Sequence, residues 1–167
     1  PDVLYKDRLT FKRGRLTFEL HHARGETDDH TWTYIPERKI LIPGDLFIWA
    51  VPNAGNPQKV QRYLSDWADA LNQMAGLEPE LMLPGHGLPI FGADRVHEAL
   101  TNTAAVLRSI EEQTLALMNR GCSLDQVMHQ VKLPMDLFDK PYLCPVYDDP
   151  HFLIRMVWRR YGGWWDG

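Results

Sequence analysis

The stretch GETDDH at residues 25–30 is a polar turn between two runs of residues with β-strand character. Two shorter signals follow it along the chain, GD at residues 44–45 and PGHG at residues 84–87. Each of the three contains a glycine and lies where a strand-like run gives way to a turn. Since functional sites are commonly built on loops at the ends of strands, we expect these three turns to meet.

Each turn presents one side chain that can bind a metal ion, namely Glu26, Asp45 or His86. Taken singly, they have ordinary explanations as a solvated loop carboxylate, a turn cap and an exposed loop histidine. Taken together, two carboxylates and one imidazole make up most of a site for zinc, manganese or iron. The neighbouring glycines would let the backbone approach such a site closely. The sequence therefore predicts a divalent-metal site at these three residues.

The composition is ordinary for a soluble globular protein, with 167 residues of which 44% are hydrophobic and 24% charged. A net charge of −4 and the lack of a Lys/Arg block argue against a nucleic-acid binder. No apolar run approaches the roughly 18 residues of a membrane span. Cys122 and Cys144 are too far apart for a CxxC motif, so we expect two reduced thiols. A cytoplasmic location is favoured, but the chain starts at Pro1 without Met, so no signal peptide can be read.

The first part of the chain predicts a sheet with a helix on one face. Alternating or apolar runs joined by short turns indicate four antiparallel strands. These strands are expected at residues 3–12, 16–21, 31–35 and 40–42. An irregular loop over residues 46–56 should lead to a helix that Asn56 caps, Pro57 begins and Gly76 ends. A short strand over residues 80–83 then runs into the PGHG turn.

The second part of the chain is helical. The spacing of its apolar residues predicts a long helix that Asp94 caps and Gly121 ends, followed by three shorter helices. The shorter helices are expected to begin at Ser123, at Met135 and at Asp149-Pro150. This change of character places a boundary near Gly92 and divides the chain into domains at residues 1–92 and 93–167. The fold class is therefore α+β, an antiparallel sheet plus helix followed by an all-helical domain.

Two of the stretches resemble metal-ligand motifs of the metallo-β-lactamase superfamily. LIPGDLF at residues 41–47 and LPGHG at residues 83–87 look like its last two motifs. Glu26 falls where most of that superfamily carries a histidine in a GHT turn. A glutamate there, with YGGWWDG at residues 161–167, is similar to the alkyl sulfatase branch. The helical residues 93–167 resemble the dimerisation domain of that branch, so the resemblance covers nearly the whole chain.

The resemblance implies half of an αββα sandwich, because the superfamily's first motif, HxHxDH, is absent from this sequence. The chain is then expected to be a fragment. Its partners would be the missing N-terminal half of the catalytic domain and a second copy in a homodimer. The resemblance also implies two divalent metal ions, zinc or alternatively manganese or iron. Asp45 would bridge them as the catalytic carboxylate, with Glu26 and His86 each binding one ion.

By the same resemblance, a metal-activated water attacks an ester, and an alkyl sulfate is the expected substrate. A helix N-terminus attracts anions, so the candidate substrate contacts are Asn53, Asn56, Lys59 and Arg62. Capping and surface roles are the alternative for these four. Candidates to support the metal ligands from beside Glu26 are Asp28, Asp29 and His30. With the first motif missing, the isolated chain is predicted to be inactive.

Two other functions stay open. One keeps the superfamily and changes the substrate to a thioester, a lactone or a β-lactam, which the glutamate at position 26 disfavours. The other is a non-catalytic module that contributes a dimer contact and half of a metal site. Zinc affinity of the isolated chain would separate an enzyme from such a module.

Overall fold

The computed structural model describes residues 2–55 and 59–163. Six strands form one sheet in chain order, β1 Arg8–Arg13, β2 Leu16–Ala23, β3 His30–Ile35, β4 Ile40–Ile48, β5 Leu81–His86 and β6 Ile90–Phe91. A single 3-10 turn at Pro36–Arg38 joins β3 to β4. The helices are α1 Leu64–Ala75, α2 Ala93–Asn119, α3 Leu124–Gln130, α4 Met135–Phe138 and α5 His151–Gly162. The predicted α+β class is confirmed.

Strand pairing is antiparallel everywhere except between β4 and β5, which run parallel. The connection between those two strands contains α1, and a crossover of this kind returns the chain to the same end of the sheet. The sequence therefore predicted the pairing of the first four strands correctly and left the direction of the fifth open. The two-residue strand β6 was not predicted, because so short a run has no readable periodicity.

Strand β4 is longer than its sequence indicated. The prediction ended it at residue 42, but it continues through Pro43 and Gly44 to Ile48, so the loop predicted over residues 46–56 begins too early. The register against β5 shifts on both sides of Gly44, which has a φ of 58°. Judged from local sequence alone, a proline followed by a glycine predicts the end of a strand. Here the parallel partner β5 supplies the pairing that carries the chain past them.

Helix α1 begins at Leu64, several residues later than predicted, and the described residues 59–63 before it are not helical. Asn56 and Pro57, the predicted cap and first turn, lie outside the described residues. The backbone NH of Tyr63 instead donates to the carbonyl of Gly25 at 3.0 Å. This approach to the GETDDH turn competes with helical hydrogen bonding just before α1.

One face of the sheet packs against the helices. Neighbouring residues in the paired strands give a row that is at most 7% exposed: Tyr34, Leu41, Met82 and Ile90. The adjacent row lies on the opposite face by strand alternation, and consists of Ile35, Ile40, Leu81 and Phe91. Phe91 is 62% exposed, and Phe11, stacked on Phe18 at 5.1 Å, is 43% exposed. Ile35 on that face is buried, but Phe11 and Phe91 leave apolar surface exposed there, as half of a sandwich would.

The helical part matches the expected order of elements. The long helix α2 begins after Gly92, so Asp94 lies in its first turn rather than at its cap. Ser123 caps α3 with a full capping box. One hydrophobic cluster runs from α1 through α2 to α5, and so extends across residue 92. The division at residues 92 and 93 stays a prediction. Both cysteines are free thiols, and among the described residues no helix has the length and hydrophobicity of a membrane span.

Candidate metal centre

Asp45 and His86 come together where β4 and β5 run side by side. The Nε2 atom of His86 lies 3.4 Å from Oδ1 of Asp45. Parallel strands bring residues of their carboxyl ends to one edge of the sheet, and the pairing of Ile48 with His86 fixes this register. The His86 side chain is 74% exposed and the Asp45 side chain is 43% exposed, so both are open to a ligand from solvent. The structure therefore brings the GD and PGHG turns together.

Gly85 makes the close approach of these two strands possible. A Cβ atom at this position would lie 2.1 Å from Oδ1 of Asp45 and 2.7 Å from the backbone carbon of Gly44. Real Cβ contacts are never so short, so any side chain here would displace the Asp45 carboxylate. The glycine of the PGHG turn is thus a direct requirement for the position of the neighbouring carboxylate.

Glu26 is bound by Arg62. Its Oε1 atom lies 2.9 Å from Nη2 of Arg62, and Nη1 of the same guanidinium donates to the Glu26 carbonyl. The two side chains are only 15% and 5% exposed. Across residues 2–55 and 59–163 no group of three or more His, Cys, Asp or Glu side chains is arranged to hold a metal ion. The structure therefore brings together two of the three predicted ligands, and the role of Glu26 stays a prediction.

The Asp45–His86 pair nevertheless has the chemistry of a divalent-metal site. A carboxylate oxygen and an imidazole nitrogen are the ligands that zinc accepts. With two ligands the pair is one short of the three protein ligands typical of a catalytic zinc. These residues fit part of a metal centre and would need further ligands to complete it.

His30 packs against the GD turn. Its Nε2–H donates to the carbonyl of Pro43 at 3.0 Å, which fixes the proton on Nε2 because a carbonyl can only accept. A Cβ on Gly44 would lie 2.7 Å from that nitrogen. Of the three predicted supporting residues, His30 contacts β4 just before Asp45, at Pro43 and Gly44. Asp29 accepts from the Thr27 hydroxyl, and the Asp28 carbonyl contacts His22.

A cleft of about 500 Å³ opens beside the Asp45–His86 pair. It is lined by Asp45, Ile48, Trp49, Ala50, Asn53, His86, Gly87, Val146 and Tyr147. Of the four predicted substrate contacts, Asn53 lies in this lining, Asn56 lies outside the described residues, and Lys59 and Arg62 are not in the lining. Sequence reasoning missed Trp49, Val146 and Tyr147, since no local pattern links a segment near residue 146 to the strand ends.

The chain matches two known protein families. Residues 1–86 match the metallo-beta-lactamase superfamily, and residues 123–167 match the alkyl sulfatase dimerisation family. A linear primary-alkylsulfatase of Pseudomonas sp. (strain ATCC 19151) is 28% identical over 170 residues, covering 100% of this chain and 32% of that protein. An (R)-specific secondary-alkylsulfatase of Pseudomonas sp. is 30% identical over 175 residues, covering 100% of this chain and 26% of that protein.

A solved structure agrees with these relatives. The stereoselective inverting sec-alkylsulfatase from Pseudomonas sp. superposes with a TM-score of 0.88 at 25% identity, covering 100% of this chain and 27% of that chain. The chain thus spans about a third or less of the length of these relatives. Because the superfamily match alone covers more than half of the 167 residues, the chain belongs to the metallo-β-lactamase superfamily.

Proposed function

We propose that this chain is part of a metal-dependent hydrolase that cleaves sulfate esters, with alkyl sulfates as substrates. The observation that carries the proposal is the Asp45–His86 pair at the mouth of a partly apolar cleft. It occurs in a chain whose full length aligns with two alkylsulfatases. A sulfate ester with an alkyl group needs a positively charged centre and an apolar wall; a divalent metal held by Asp45 and His86 would supply the first, and the apolar lining of this cleft supplies the second.

The residues of this chain have distinct parts in that chemistry. Asp45 and His86 would hold a divalent metal, which when bound supplies an activated water and neutralises developing charge. Gly85 admits the Asp45 carboxylate to its position, and His30 holds the strand beside it through the Pro43 carbonyl. Glu26 would serve as a further ligand through whichever oxygen Arg62 leaves available. Asn53 lies in the cleft as a neutral donor for a sulfate oxygen.

The test is sulfate release from an alkyl sulfate by the protein as its gene encodes it, including any sequence that flanks this chain. Asp45→Asn and His86→Ala should each lower kcat by at least about 100-fold, since each removes one of the few side chains that would hold the metal. Asp125→Asn is the matched control, because its carboxylate is 86% exposed on α3, where it pairs with His129, and it does not line the cleft. Activity on a thioester or lactone but not on alkyl sulfates would keep the metal centre and refute the substrate.

A second function is favoured by the ligand count. With two ligands together among the described residues, the 167-residue chain alone would be a non-catalytic module with a dimer contact and half of a metal site. Calorimetric titration of the isolated chain with zinc should then show weak binding. A sulfate-release assay on the same chain should detect no turnover. If the isolated chain turned over substrate as fast as the protein that its gene encodes, it would not be a non-catalytic module.

A further inference from the structure

We propose that Val146 and Tyr147, from the helical part of the chain, bind the hydrocarbon portion of the substrate beside Asp45 and His86. The inference rests on the proposed function and adds the residues that select among alkyl chains. These two residues lie within residues 123–167, the segment that matches the dimerisation family. The segment would therefore contribute to substrate binding as well as to assembly.

The first observation is the exposure of these two side chains. Val146 is 77% exposed and Tyr147 is 72% exposed. Neither belongs to the hydrophobic cluster that stabilises the fold. Both line the cleft that contains Asp45 and His86. Since these two exposed apolar side chains lie side by side in a cleft, a ligand in that cleft would cover them.

The second observation is that the backbone around them is anchored on both sides. The carbonyl of Cys144 accepts from the backbone NH of Val51 at 3.2 Å. The carboxylate of Asp148 accepts from the backbone NH of Gly55 at 2.6 Å. Val146 itself donates its NH to the Cys144 carbonyl at 2.8 Å, which closes a tight turn. The turn is thus tied to the chain that follows β4, and it holds the two side chains at the cleft.

The third observation is a second apolar wall that is equally fixed. The indole NH of Trp49 donates to the Leu88 carbonyl at 2.7 Å, and its ring meets Tyr142 edge-on with centroids 6.4 Å apart. Gly87 lies so close that a Cβ there would be 2.0 Å from Cδ1 of Trp49. Trp49 therefore has little freedom to move. A cleft of about 500 Å³ between Trp49 and the anchored turn has the size of a small-molecule site.

The chemistry of the lining selects the occupant. Asp45, His86 and Asn53 make one group of polar side chains, and Ile48, Trp49, Ala50, Val146 and Tyr147 are apolar. With a divalent metal on Asp45 and His86, a ligand that satisfies both groups would have an anionic head and an aliphatic tail. The competing occupant of Val146 and Tyr147 is a second copy of this chain, and ligand binding together with sedimentation distinguishes the two.

The test measures binding of butanesulfonate and decanesulfonate, which are stable analogues of alkyl sulfates, below their micelle-forming concentrations. Calorimetry is done on the metal-loaded protein as its gene encodes it, for the native sequence, the Val146→Ala/Tyr147→Ala double variant and Met135→Ala. Met135 is the matched control, because it is 63% exposed in α4 and lies outside the cleft. The two replaced side chains are mostly in water, so the fold should not change.

We expect the native protein to bind decanesulfonate more tightly than butanesulfonate, by up to about fourfold for each methylene that leaves water. The double variant should weaken decanesulfonate binding by roughly tenfold or more and leave butanesulfonate within about twofold, since only the longer tail reaches the apolar wall. Met135→Ala should resemble the native protein in both measurements.

Two results would overturn the inference while the proposed function stands. One is alkyl sulfate hydrolysis with an unchanged chain-length preference in the double variant. The other is a double variant that dissociates in sedimentation experiments but binds decanesulfonate normally, which would assign the two residues to contact between copies. A native protein that neither binds the sulfonates nor releases sulfate would overturn the proposed function and with it the inference.

Discussion

At the scale of single residues, Arg62 forms a buried ion pair with Glu26. It was a candidate anion contact, but its guanidinium is buried against both the carboxylate and the carbonyl of Glu26. A guanidinium forms two such bonds at once because its donors are fixed in one plane. The pair holds the GETDDH turn against the chain just before α1.

Removing Arg62 should therefore destabilise the fold. Arg62→Met leaves the Glu26 carboxylate mostly buried without its partner, and we expect a loss of about 3–5 kcal/mol in the free energy of unfolding. The control is Arg24→Met, whose guanidinium is 48% exposed and pairs with Asp66; it should cost about 1 kcal/mol or less. Urea denaturation measures both. Equal losses in the two variants would show that burial of the Arg62–Glu26 pair adds nothing to the free energy of unfolding beyond an exposed ion pair.

His21 makes stability depend on pH. Its ring stacks on Trp32 with centroids 4.0 Å apart, and burial, followed by the nearby Arg8 charge, lowers the pKa of His21 below its usual 6.5, although Glu19 opposes the shift. Since the folded state binds this proton less readily than the unfolded state, stability is full above pH 6.5 and falls as the pH decreases towards the folded pKa. His21→Gln should flatten the decline between about pH 7 and pH 5 seen in urea denaturation. The same slope in both proteins would mean that other groups cause it.

At the scale of elements, α3 shows how a short helix is defined by its cap. The Ser123 hydroxyl accepts from the backbone NH of Gln126, and the Gln126 side chain accepts from the NH of Ser123. With only seven residues, α3 has few internal hydrogen bonds to compensate for a lost cap.

Ser123→Ala should cost about 1 kcal/mol of unfolding free energy, because one helix-end NH loses its acceptor. Ser123→Asp keeps an acceptor at the cap and places a negative charge at the helix N-terminus, so it should stay within about 0.5 kcal/mol of the native protein. Thermal unfolding of both variants measures the difference. A destabilised Ser123→Asp variant would argue that the hydroxyl serves a contact other than capping.

At the scale of the whole molecule, the sheet is covered by helices on one face and exposes apolar side chains on the other. Phe11 and Phe91 lie on strands near the two edges of that sheet and are 43% and 62% exposed. Together with the match to the dimerisation family, this predicts that the 167-residue chain associates.

Sedimentation at micromolar concentration should show the chain as a dimer or larger species. Phe11→Glu/Phe91→Glu should weaken association if the exposed sheet face carries it, since a charge at each position makes burial costly. Met135→Glu, on α4, tests the contribution of the helical part. A native chain that sediments as a clean monomer would contradict the prediction.

The sequence by itself determined those features that depend on near neighbours. Alternation in β2, helical spacing in α2 and the Ser123 cap are local, so they could be predicted. The GD and PGHG turns could be recognised because glycine conformation and the neighbouring ligand lie within a few residues.

Only the tertiary structure decided what depends on distant partners. The extension of β4 past Pro43 needs β5 as its pairing partner, and the late start of α1 follows from contacts with the GETDDH turn. The Arg62–Glu26 pair joins residues 36 positions apart, and Tyr147 reaches the Asp45 cleft from a different part of the chain. Such contacts are selected by the free energy of the closed fold, in which pairing and burial outweigh local preference, and no window of the sequence contains both partners.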